Sequence, residues 1–96
     1  MISREEFKEL GKKYGLKTYD SIFRFYLTYI KDGIGFAVLD LDNGIVIIKT
    51  KFFMGKPYGD KVANDVEELE ELLKTALNNL KLENIRQKMD LIEGDF

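Results

Sequence analysis

Cysteine and histidine are both absent from this 96-residue chain. Without cysteine there are no disulfides, no thiolate metal sites and no cysteine nucleophile, as befits a reducing compartment. Without histidine the usual general base near neutral pH and the commonest metal ligand are gone, so imidazole-based triads, zinc sites and facial-triad iron are excluded. Ser3 and Ser21 are the only serines, and neither lies in a nucleophile-elbow context. Any catalysis would have to rest on carboxylates, lysine or tyrosine, and no motif assembles an acid, a base and a nucleophile from them. The expectation is a protein that is not an enzyme and needs no cofactor or metal.

Long apolar runs are also missing. No segment approaches the roughly 20 apolar residues of a membrane span, and the start, MISREEFKEL, has no apolar run to act as a signal peptide. These features predict a soluble, cytoplasmic protein without a membrane partner. A net charge of -2 and a pI near 5.2 exert no global pull toward nucleic acid, so local charge must carry any such reading. The balance of 45% hydrophobic and 33% charged residues is that of one globular domain over residues 1–96. A domain this short buries only about two thirds of its unfolded surface, so an apolar face left over after folding is best shared with a partner.

What is present is concentrated between Ser21 and Phe53. SIFRFYLTYI, IGFAVLDLD and IVIIKTKFF are rich in aromatic and β-branched residues and are separated by KDG and NG. This pattern predicts a three-stranded antiparallel meander, although Ile22, Tyr26, Tyr29 and Ile30 would also share a helix face. A three-residue loop at Lys31 to Gly33 would set Phe23 opposite Leu41, Phe25 opposite Leu39, Leu27 opposite Ala37, and Arg24 opposite Asp40. A two-residue type I′ turn at Asn43-Gly44 would set Leu41 opposite Val46 and Leu39 opposite Ile48. Both registers place one continuous apolar face across the sheet. The other face is unusually apolar too, with Tyr26, Ile34, Phe36, Val38, Ile45 and Ile47 among charged residues.

Helices flank the meander. Ser3 and Glu6 form a capping box for a first helix ending near Gly15, with Gly11 allowing close approach beneath it; Gly15 to Asp20 reads as a connector. MGKPYGDK reads as an exposed loop, and Asn64 or Asp65 caps a long second helix. Val62, Val66, Leu69, Leu72, Leu73, Ala76, Leu77 and Leu80 make its inward stripe. Leu82, Ile85, Met89 and Ile92 repeat at helical spacing but point roughly opposite. Either the helix breaks between Asn78 and Asn84, leaving 82–96 as a separate helical segment, or it runs on and offers the second stripe to a partner. The fold class is thus α+β, with an α-β-β-β-α order. That order resembles double-stranded RNA-binding domains over roughly residues 3 to 80. The resemblance implies a lysine cluster opening the second helix, where this chain has Asn64-Asp65-Val66-Glu67-Glu68, which would repel phosphate.

Two surfaces emerge as candidates. The first is a protein interface, with a homodimer as the expected assembly, through Tyr26, Phe36, Val38 and Ile47 on the second sheet face, through Leu82, Ile85, Met89 and Ile92, or through both. The alternative is a nucleic-acid or phosphate site at Lys49, Lys51, Lys56, Tyr58 and Lys61, where cations and an aromatic ring interleave. Asp40-Leu41-Asp42-Asn43-Gly44 resembles the start of a calcium loop but has glycine one position early and Lys51 where a closing glutamate belongs.

Overall fold

The computed structural model describes residues 1–20 and 25–94, with 87–94 as backbone only. Helix α1 (Arg4–Lys13) is followed by strands β1 (Lys17–Asp20), β2 (Tyr26–Lys31), β3 (Ile34–Asp40), β4 (Ile45–Phe53) and β5 (Lys56–Ala63), then by helix α2 (Val66–Gly94). The α+β class is as expected, but the sheet has five antiparallel strands in the order β1-β2-β3-β4-β5 rather than three. The presumed connector supplies β1 and the presumed loop supplies β5. Pro57, which argued for a loop, sits on an edge strand, where a missing N–H costs no ladder bond. Helix, five strands, helix is also not the element order of double-stranded RNA-binding domains.

Both expected turns contain a residue of positive φ, but neither has the expected length. Asp32 (φ 55°) and Gly33 (φ 81°) make a two-residue type I′ turn that pairs Lys31 with Ile34. At the next turn only Gly44 has positive φ (63°). Asp40 accepts from the Asp42 and Asn43 backbone N–H groups and from the Asn43 carboxamide, closing a four-residue loop in which the Gly44 N–H donates to the Asp40 carbonyl. Leu39 therefore pairs with Val46, and Leu27 with Leu39, each two residues from the expected register. A shift of two preserves which face each side chain takes, so the apolar face survived the error. The expected partners of Phe23 and Arg24 lie outside the described residues. Met54 (φ 50°) and Gly55 (φ 79°) form a third tight turn, which creates the β4–β5 hairpin.

One irregularity moves residues between faces. Tyr29 pairs with Ala37 and Ile30 with Gly35, which leaves Phe36 without a partner in a β-bulge. The extra residue turns Phe36 inward. It is buried, its ring centroid 6.4 Å from Tyr29 and 5.9 Å from Phe52.

Both helices pack on the inner face. The Ser3 hydroxyl accepts from the Glu6 N–H at 3.1 Å while the Glu6 carboxylate accepts from the Ser3 N–H at 3.1 Å, completing the capping box of α1. At the other end Gly15 (φ 69°) lets the Leu16 N–H donate to the Gly11 carbonyl at 2.8 Å, a Schellman stop. Phe7 stacks on Tyr29 with centroids 3.8 Å apart, and the Tyr29 hydroxyl donates to the Phe7 carbonyl. Asp65 caps α2 by accepting from the Glu68 N–H at 2.8 Å. Leu69, Leu73, Ala76 and Leu80 then cover the sheet, chiefly β4. The helix continues unbroken through Asn78 to Asn84, so the alternative of a break there does not hold.

Candidate interaction surface

The ladder pairings define one transverse row on the outer face. Tyr19 pairs with Thr28, Thr28 with Val38, Val38 with Ile47, and Ile47 with Val62, so the row crosses every strand. Strand spacing of about 4.8 Å makes it roughly 19 Å long. Among the described residues no helix lies over it: Tyr19 is 58% exposed, Val38 38%, Ile47 41% and Val62 50%. Tyr26 and Ile45 flank Asp40 in the row beyond, and Ile30 lies on the opposite side. Scattered exposed apolar residues are ordinary, but Tyr19, Val38, Ile47 and Val62 in one row, interrupted only by half-buried Thr28, are not.

Charge is divided across this row. On one side stand Lys17, opposite Ile30, and Lys49, opposite Asp60, with Lys51 opposite Tyr58 further out. On the other side stands Asp40, whose carboxyl is held below its usual value chiefly by the Asn43 carboxamide, against a smaller opposing effect of burial. The cations at the first side are partly balanced, because Lys49 lies 3.8 Å from Asp60.

Of the interface residues expected on this face, Tyr26, Val38 and Ile47 are there. Phe36 is not: the bulge places it in the core, a correction invisible to a strict two-residue alternation. Ile34 likewise packs against the core rather than joining the outer face. Tyr19 was missed because β1 was not recognised, and Val62, expected in the inward stripe of the second helix, lies exposed in β5 instead. Leu82 (56% exposed) and Ile85 (47%) lie on the flanks of α2, Leu82 bordering a groove with Lys51, Phe52 and Tyr58, and Ile85 one with Lys31, Leu77 and Leu80. The side chains of Met89 and Ile92 lie outside the described residues.

The basic-aromatic stretch divides between faces. Lys49, Lys51, Lys56 and Tyr58 lie on the outer side of the β4–β5 hairpin, whereas Lys61 pairs with buried Ile48 and so takes the inner face, where it lines a groove beside Glu67 and Glu71. The five residues do not form one patch. Among the described residues no group of three His, Cys, Asp or Glu side chains could hold a metal ion, and no helix is long and apolar enough to cross a membrane. Compared with family models, curated proteins and solved structures, the chain matches none.

Proposed function

We propose that this is a small non-enzymatic protein-binding or regulatory protein that acts through the outer face of its sheet, with a second copy of the chain as the first occupant. The observation that carries the reading is the uncovered row from Tyr19 to Val62. An isologous interface needs a self-complementary patch. A two-fold axis running along the row stacks apolar side chains on their own kind, and sets the Asp40 side of one copy over the Lys17 and Lys49 side of the other. Two sheets packed this way, about 10 Å apart, make a β-sandwich with the helices outside. Exposed Leu82 on α2 is a second apolar position open to a further partner.

Light scattering tests this directly. The wild-type chain is expected at twice its 11.2 kDa mass at high micromolar concentration. Val38→Lys with Ile47→Lys should give a folded monomer, judged by an unchanged circular dichroism spectrum. A wild-type protein that stays monomeric at those concentrations overturns the dimer. The nucleic-acid alternative rests on Lys51, Lys56 and Tyr58 alone, since Lys49 is paired and Lys61 faces away. Salt-dependent binding of a labelled oligonucleotide, lost on Lys51→Ala with Lys56→Ala, would favour it.

A further inference from the structure

The groove between the β2–β3 turn and the middle of α2 differs in charge from the rest of the helix surface. Its volume is about 540 Å³, and its polar lining is Lys31, Asn78, Lys81 and Asn84. Leu77, Leu80 and Ile85 supply the apolar wall. Among the described residues no carboxylate lines it. By contrast, Glu67, Glu68, Glu70 and Glu71 line the groove at the start of α2, Glu6 and Glu9 that beside α1, and Glu83 that under the β4–β5 turn.

Among the described residues the two lysines of this groove have no acidic partner. Residues three and four positions from Lys81 on the helix are Leu77, Asn78, Asn84 and Ile85, so it has no intrahelical acidic neighbour, whereas Lys74 has Glu70 at 3.8 Å. Lys31 stands opposite Ile34 in the ladder. The acidic residue nearest to it in sequence, Asp32, belongs to the turn and does not line the groove. Two cations from separate elements thus line one groove, in a chain of net charge -2, with no ion pair to either among the described residues.

We propose that this groove binds a small amphipathic oxyanion: a carboxylate or phosphate monoester head between Lys31 and Lys81, with a short apolar body against Leu77, Leu80 and Ile85. Asn78 and Asn84 add carboxamide donors for the remaining oxygens. The volume falls within the range of small-molecule sites, and buried Leu80 forms the floor. The groove lies on the helix side of the sheet, so its occupancy is independent of dimerisation through the outer face.

Octanoate, phenyl phosphate and inorganic phosphate, titrated separately into isotope-labelled protein and followed by amide chemical shifts, test the proposal. Saturable shifts at Lys31 and along residues 77–85 with octanoate, phenyl phosphate or both support the groove, and the tighter probe identifies the head group. Inorganic phosphate, lacking an apolar body, should bind about tenfold more weakly. Lys31→Gln and Lys81→Gln should each weaken binding about fivefold, while Lys74→Gln leaves it unchanged. The proposal is overturned by the absence of saturable shifts up to about 20 mM probe. It is equally overturned by shifts centred on Lys49 to Lys61, by inorganic phosphate binding as tightly as the others, or by Lys31→Gln and Lys81→Gln proteins that bind like wild type.

Discussion

At the scale of single residues, the contact between α1 and Tyr29 shows how packing overrides propensity. Replacing a mid-helix glycine by alanine ordinarily stabilises by about 1 kcal/mol. At Gly11, however, an added Cβ would stand 2.8 Å from Tyr29 Cε1, against a ring that is buried and stacked on Phe7. Overpacking of this kind costs about 1–3 kcal/mol, so Gly11→Ala should lower stability on balance; a raised midpoint in urea denaturation would contradict the close approach. Burial also holds the Tyr29 phenol well above its usual value, so it donates to the Phe7 carbonyl throughout the working pH range. Glu6 and Asp40 shift the other way. The Ser3 backbone N–H, then its hydroxyl, lowers Glu6 from its ordinary 4.5, and the Asn43 carboxamide chiefly lowers Asp40 from 3.8. A carboxylate with a depressed folded pKa stabilises the fold above its unfolded pKa, and that stabilisation is lost as pH falls through the folded value. Urea denaturation at about pH 7 and about pH 3 should therefore show an acid loss that is smaller in Glu6→Gln than in wild type.

At the scale of elements, α2 is tied to the β4–β5 hairpin by two polar contacts rather than by leucines alone. The Asn79 carboxamide donates to the Thr50 carbonyl at 2.7 Å, and the Glu83 carboxylate accepts from the Met54 N–H at 3.2 Å. Glu83 is buried, and Met54 is the non-glycine residue of positive φ in the turn. The second contact therefore caps the hairpin from the helix side. Glu83→Ala should cost about 1–2 kcal/mol and speed hydrogen exchange at the Met54 amide, whereas Glu83→Gln keeps an acceptor and should retain most of the protection. Equal exchange rates in all three proteins would show that the contact contributes nothing. Helix α1 was legible in sequence down to its capping box and stop, because both devices are local. Strand β5 was not, since Pro57, Gly59 and the charges around them read as loop. Its pairing is made by β4, with Asp60 opposite Lys49 and Ala63 opposite Val46.

At the scale of the whole molecule, two helices pack on one face of a five-stranded sheet, and among the described residues none covers the other face. If the bare face pairs two copies, stability is linked to concentration by mass action. The melting midpoint should then rise by several degrees between about 5 and 500 µM in wild type and stay constant in the Val38→Lys, Ile47→Lys protein. A midpoint independent of concentration in wild type would leave the outer face unoccupied by a second copy.

What the sequence determined by itself was local or periodic: the α+β class, both helix caps, the positive-φ glycines at Gly33 and Gly44, and the division of the meander into two faces. That division held beyond the bulge, where both register errors were of two residues and side chains alternate with a period of two; beside the β2–β3 turn the error was one residue, and Ile34 and Phe36 changed face. Tertiary structure decided what no local rule encodes. The bulge that sends Phe36 into the core arises from pairing between β2 and β3. The edge strands exist only because β2 and β4 offer them ladders. The unbroken α2 buries Leu80 and leaves Leu82 and Ile85 exposed on its flanks, because helix periodicity, rather than the change of stripe, governs where each side chain goes.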